Sequence, residues 1–253
     1  MIFPATIATA ALAAGAAARA VPNPLEVFKR DHVVGRVITQ CNRSGVLALA
    51  YDDGPYQYTS SIVDTLDAAG VKGTFFMTGT LYGCIYNQRD AVKKAYDSGH
   101  QIASHTWTHP HMGSMSADQI RYEMERTEQA MVNIFGRKPA YVRPPFLETG
   151  GSFLQVMTEM NYSVINDDID TGDWNGESPE SSEGKFQQAG AGGNGHIPLM
   201  HEVYPGTATT LTNWLIQWAQ SNGLEIVTVA ECLGDGDGAY QPGTFEGNGE
   251  SSC

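Results

Sequence analysis

The sequence predicts an α/β fold, a parallel sheet with helices packed outside it. Three observations carry this. Short apolar runs of strand length recur at 46–51, 71–77, 101–104, 141–143, 163–166, 197–201 and 225–229. Between several of them, apolar residues return every three or four positions, the period of a helix with one buried face. Strand alternating with helix in this way gives parallel pairs joined by crossovers. Finally, ionisable residues stand where the runs end, and in such a sheet the C-terminal strand ends share one rim, where sites are built. The residues alone leave open whether the sheet stays open or closes into a barrel.

Taken in order, VLALAY (46–51) is the first strand and runs into Asp52-Asp53. Thr59 is placed to cap a helix whose Ile62, Val63, Leu66 and Ala69 share a face, and Gly70 stops it. VKGTFFM and QIAS follow as strands. Ser116 and Gln119 have capping-box spacing, and behind them Ile120, Met124, Thr127, Met131 and Ile134 recur helically up to Gly136. YVR, SVIN and IPLMH are the next strands; Pro198 in the last costs one ladder donor. Leu211, Leu215, Trp218 and Ala219 mark a helix closed by Gly223, with Trp214 and Trp218 read as packing residues. EIVTV is the final strand, and the Gly-rich stretch beyond it is expected to be irregular.

The first twenty residues, Ala-rich and closing in Ala18-Arg19-Ala20, read as a signal peptide. Lys29-Arg30 reads as a dibasic processing site, making 21–30 a short propeptide ahead of one domain over 31–253, with a Gly-rich tail at 235–253. No other run is apolar enough to cross a membrane. A hydrophobic content of 42% excludes a disordered chain, and a net charge of −13 without a Lys/Arg cluster argues against nucleic acid and anionic membrane as partners. Four cysteines in a secreted chain suggest disulfides, with three complete pairings open. The favoured one joins Cys41, before the first strand, to Cys232, after the last, which leaves Cys84 for Cys253. Asn42 and Asn161 begin N-glycosylation sequons.

The strand ends carry the chemistry. Asp52 and Asp53 follow the first strand, and Gly54-Pro55 suits a tight turn holding both. His105 and His109, with three residues between them, would share one face of a helical turn and, with a carboxylate, make a two-imidazole, one-carboxylate set for a divalent ion. Arg143 can grip a carboxylate bidentately, and His201 can give a proton to a leaving nitrogen. Asp170 is the expected support of the His201 ring, while Trp174 and Leu199 are candidate pocket walls.

AYDDGP (50–55), SHTWTH (104–109), RPPF (143–146), DIDTGDW (168–174) and LMH (199–201) resemble the five motifs of the polysaccharide deacetylases of the NodB-homology class, carbohydrate esterase family 4, and more closely those of secreted fungal chitin deacetylases. The resemblance covers roughly residues 41–234. It implies a distorted (β/α)7 barrel, with Asp53, His105 and His109 as ligands of zinc, or of cobalt or another divalent ion in its place. It further implies Asp52 as general base, Arg143 as its holder, His201 as general acid and Asp170 as the support of that acid. Trp174 and Leu199 would line an acetyl pocket, Pro145 would lie beside substrate, and the Tyr56 N–H would meet an oxyanion. The implied reaction removes N-acetyl groups from chitin or chitooligosaccharides by a secreted, extracellular or cell-wall monomer. Peptidoglycan or acetylxylan is the alternative substrate, and an inactive carbohydrate-binding protein the alternative of another class. The motif usually opens Thr-Phe where this chain has Ala50-Tyr51, and Glu202 stands where Asp is frequent.

Overall fold

In the computed structural model, the structure describes Met1 and residues 34–253. The expected signal peptide, the propeptide and residues 31–33 lie outside the described residues, apart from Met1.

The strands are β1 (Val37–Ile38), β2 (Gln40–Ser44), β3 (Val46–Leu47), β4 (Ala50–Asp52), β5 (Thr74–Met77), β6 (Gln101–Ser104), β7 (Tyr141–Val142), β8 (Ser163–Ile165), β9 (Ile169–Asp170), β10 (Asn194–His196), β11 (Pro198–His201) and β12 (Glu225–Ile226). The helices are α1 (Thr59–Ala68), α2 (Arg89–Asp97), α3 (Ala117–Phe135), α4 (Phe153–Glu159), α5 (Pro179–Ala189), α6 (Thr212–Ser221) and α7 (Val229–Cys232). Eight strands form the main sheet in the order β1-β8-β7-β6-β5-β4-β11-β9. Every pairing in it is parallel, and the sheet curls into a half-barrel ringed by helices. This is the distorted (β/α) architecture expected, with two differences in detail. The run at 46–51 divides: β3 joins a second sheet, β12-β3-β10-β2, and β4 stays in the first. The last expected strand, β12, pairs with β3 rather than closing the main sheet.

Register positions the site. Asp52 stands opposite both Phe76 and His201, Met77 opposite Ser104, Ser104 opposite Val142, and Leu199 opposite Asp170. The residues that follow these positions therefore leave the sheet at one rim.

The core beneath that rim is apolar on both faces of the sheet. Tyr51 stacks on Phe75 with centroids 5.2 Å apart, and its hydroxyl meets Thr212 Oγ1 at 3.1 Å. The Tyr at this motif position thus keeps the ring packing and satisfies its added oxygen. Ile62, Val63 and Leu66 of α1 are fully buried, each worth about 1.5–3 kcal/mol. Thr59 is the first residue of α1 rather than its cap: Tyr58 holds the cap position, and the Thr59 hydroxyl is committed to Glu202. The capping box at Ser116 and Gln119 is formed, and α3 ends on Gly136 at φ 78°. Trp214 and Trp218 stack 5.9 Å apart, with Trp218 against Phe186, as packing residues.

Both disulfides are present, Cys41–Cys232 and Cys84–Cys253. The stretch after α7 has little regular structure but is bonded down by side chains. Glu250 pairs with Arg126, Asn248 with Asn133, and the Gln241 amide donates to Met160 and Asn161 carbonyls. Of the sequon residues, Asn42 is exposed on β2, whereas Asn161 is half-buried at a turn with φ 59°.

Candidate metal-dependent active site

A cleft of about 410 Å³ opens at the C-terminal rim, lined by residues from β4, β9 and β11 and from the loops that follow β4, β6, β7, β9 and β11. Asp52, Asp53, His105, His109, Asp170, Trp174, Leu199 and His201 line it together with Pro144, Phe146, Leu147 and Tyr204. Backbone strain concentrates here. Six non-glycine residues among those described have positive φ, and Asp53, Thr106, His109, Phe146 and Leu147 are five of them. Such conformations persist only where surrounding contacts enforce them, and they gather at functional sites.

Asp53 Oδ1 lies 3.4 Å from His105 Nε2 and 3.4 Å from His109 Nε2. The histidines meet through an irregular turn, with Thr106 and His109 left-handed, and not through the helical turn expected from their spacing. His105 Nδ1 sits 2.6 Å from the Arg143 carbonyl oxygen. A carbonyl only accepts, so Nδ1 carries the proton and Nε2 presents a lone pair. Burial, then the neighbouring His105, pushes the His109 imidazole down to about 4, so it is neutral near pH 7. Asp53 Oδ1 is buried without a hydrogen-bond partner. A buried carboxylate oxygen without a hydrogen-bond partner and imidazole nitrogens thus converge on one point, a grouping whose free-energy cost a cation would offset. A divalent cation fits that donor set: ligands about 2.0–2.2 Å from a tetrahedral zinc stand about 3.3–3.6 Å apart. Asp53, His105 and His109 are the one such cluster among the described residues.

Asp52 is buried beside this cluster, its Oδ2 3.9 Å from His105 Nε2. Arg143, fully buried, donates from Nη1 to Asp52 Oδ1 at 2.8 Å. Its grip is single rather than bidentate, because Nη2 is spent on the carbonyls of Asn166 (2.9 Å) and Pro198 (3.2 Å). The guanidinium also lies over Phe76, 4.7 Å from the ring centroid. Gly54 is required by close approach, since a Cβ there would meet Glu202 Oε1 at 2.0 Å.

On the opposite wall, the His201 ring is supported by Asp173 and not by Asp170. Asp173 Oδ1 is 2.7 Å from His201 Nδ1, while its Oδ2 accepts from the His201 amide (2.8 Å) and the Thr207 hydroxyl (2.7 Å). Burial opposes charging of His201, but the hydrogen bond and charge of Asp173, with Asp52 and Asp53, outweigh it and raise the imidazole to about 9. Asp170 instead accepts from the Gly172 amide (2.8 Å) and Trp174 Nε1 (3.1 Å), so it orients the indole. The left-handed Gly172, φ 73°, lies between the two acids, which take different partners.

The structure also places two further expected residues. The Tyr56 N–H donates to Thr59 Oγ1 at 2.8 Å, where Tyr56 opens the turn into α1. Pro145 is buried and does not line the cleft; Pro144 does. Phe146 and Tyr204 were not singled out by their sequence context. Phe146, 55% exposed, stacks on His111 at 4.0 Å and stands edge-on to His109 at 4.8 Å. Tyr204 lies 5.8 Å from the His201 ring.

Fold and site together define a carbohydrate esterase family 4 deacetylase centre: a carboxylate and two imidazoles for a metal, with a second carboxylate and a histidine facing them. The chain belongs to the polysaccharide deacetylase family, whose model matches residues 39–165. A chitin deacetylase of a Pestalotiopsis species is 39% identical over 230 residues, 89% of this chain and 75% of that protein. The solved chitin deacetylase of the fungal pathogen Colletotrichum lindemuthianum superposes with a TM-score of 0.78 at 33% identity, covering 83% of this chain and 96% of that one. An Arthroderma benhamiae protein named "probable peptidoglycan-N-acetylglucosamine deacetylase" is 37% identical over 205 residues, 79% of this chain and 47% of that protein.

Proposed function

We propose that this protein hydrolyses the N-acetyl group from N-acetylglucosamine units of chitin or chitooligosaccharides, yielding acetate and glucosamine units. The observation that carries the reading is the juxtaposition of Asp53, His105 and His109 with a second carboxylate outside that set, Asp52, in one cleft. Asp53, His105 and His109 would hold zinc. Bound there, the ion would supply a Lewis acid that polarises the acetamide carbonyl and acidifies water.

The chain's own groups do the rest. Asp52, fixed by Arg143, takes the proton of the attacking water. His201, its imidazole raised and oriented by Asp173, gives a proton to the departing nitrogen. Trp174, Leu199 and Tyr204 form the walls against which the acetyl group and the sugar are held. The two disulfides fit an oxidising compartment, which supports secretion.

Similarity to chitin deacetylases favours chitin as the substrate; the Arthroderma relative favours peptidoglycan as the second reading. The test is acetate release from chitin oligomers, peptidoglycan and acetylxylan side by side, with zinc-loaded protein. Faster release from chitin oligomers is expected. Preference for peptidoglycan would overturn the substrate class, and no acetate from any of the three would overturn the deacetylase reading.

A further inference from the structure

We propose that Glu123 is the positioning residue that winds the His105–His109 turn into its metal-binding shape. The inference rests on the metal-site reading above and concerns a residue that lines no part of the cleft.

Glu123 projects from α3 and is 5% exposed. A carboxylate at that depth is tolerable only with donors around it. It has three, all from the histidine turn. Oε2 accepts both the Trp107 N–H (2.9 Å) and the Thr108 N–H (2.7 Å), and Oε1 accepts the Thr108 hydroxyl (2.9 Å). Two consecutive amides converge on one oxygen only when the backbone between them is wound to aim both inward. Here that winding has left-handed Thr106 (φ 69°) on one side and left-handed His109 (φ 58°) on the other. Neither residue is glycine, so both conformations must be held by surrounding contacts. Within the turn, Thr106 Oγ1 accepts only the His109 amide, at 3.2 Å. Glu123 supplies the charged acceptor from outside it.

The clamp stands on a rigid base. The capping box fixes the start of α3, and Ile120, Met124 and Thr127 bury the face from which Glu123 points. The turn that aims His105 and His109 at Asp53 is thereby referenced to the helix core.

The test measures zinc affinity by chelator competition, together with amide exchange at Trp107 and Thr108 and circular dichroism of the zinc-free protein. In Glu123→Gln the amide oxygen still accepts both backbone N–H groups, and the Thr108 hydroxyl can turn to accept from the NH₂. Zinc affinity should stay within a few-fold of wild type. Glu123→Ala should lose about 10–100-fold in zinc affinity and expose the two amides to exchange while keeping helical content. If Glu123→Ala does not fold, Glu123→Asp replaces it. That variant keeps the charge but withdraws the oxygens by one methylene, and about a tenfold loss is expected. A folded Ala or Asp variant with wild-type zinc affinity would overturn the proposal. So would a Gln variant as weak as Ala, since hydrogen-bond acceptance is then not what matters. Wild-type protein that binds no zinc, or His105→Ala that binds it undiminished, would instead sink the metal-site reading itself.

Discussion

Asp173 binds His201 twice, through the ring Nδ1 at 2.7 Å and through the backbone amide at 2.8 Å. One carboxylate therefore fixes both where the strand delivers the histidine and which nitrogen faces the cleft. With Nδ1 engaged, Nε2 is the nitrogen left to exchange a proton with substrate.

This pairing sets a pH dependence. His201 is raised to about 9 in the fold against an ordinary 6.5, so its pairing stabilises fully below about 6.5 and fades as pH rises through 9. Asp173→Asn should bring the His201 titration down and move the alkaline limb of the rate profile to lower pH. Turnover should fall about 10²–10⁴-fold. Asp170→Asn should leave the His201 titration where it is and disturb only the Trp174 side of the cleft. NMR titration of the zinc-free variants and pH–rate profiles of the zinc-loaded ones check both statements.

Asp52→Asn should retain zinc and lose about 10²–10⁴-fold in turnover. The substitution is isosteric and leaves Arg143 a carbonyl oxygen to bond, so the cleft should keep its shape. Zinc content by atomic absorption, measured beside acetate release, separates the two effects. Near-normal turnover would remove Asp52 from the role of base.

His105→Ala and His109→Ala should each reduce zinc stoichiometry, and chelator treatment of the wild type should abolish acetate release until zinc is returned. The zinc-free protein should remain folded, because the sheet and both disulfides do not depend on the ion. Circular dichroism before and after chelation reads this directly.

Glu202 makes a separate prediction about stability. It is fully buried with Oε2 unpartnered, and burial raises its carboxyl to about 8, against hydrogen bonds from Thr59 and the Tyr56 amide. The fold therefore binds a proton there that the unfolded chain sheds above about 4.5. Stability from this group is complete below that pH and declines up to about 8. Glu202→Gln lacks the titration, so its stability relative to wild type should rise between pH 5 and 9 in urea unfolding. A constant difference across that range would contradict the protonated state.

Much of this was legible in the sequence because it depends on local chemistry. The apolar runs that became β4, β5, β6, β7, β8 and β11 could be recognised by length, and the acids and histidines after them by position. What was not legible depends on backbone direction. Asp170 and Asp173 are equivalent in a string of letters, and only the left-handed turn at Gly172 decides which one faces His201. The histidine spacing suggested a helical turn because nothing local announces that Thr106 and His109 would be left-handed. One local signal does stand in the sequence. Glu123 stands three residues after Ile120 and four before Thr127, a charge on the buried face of an otherwise apolar helix pattern. The division of 46–51 between two sheets, and the pairing of β12 with β3, are long-range outcomes that no window of residues contains.

The Cys84–Cys253 bond closes a covalent ring of the chain between those residues. A single protease cut anywhere within that ring would shed no fragment, and nicked and intact molecules would run as one mass until a reductant was added. Integrity of a preparation should therefore be judged on reducing gels, where a cleaved tail separates from the body it had been fastened to.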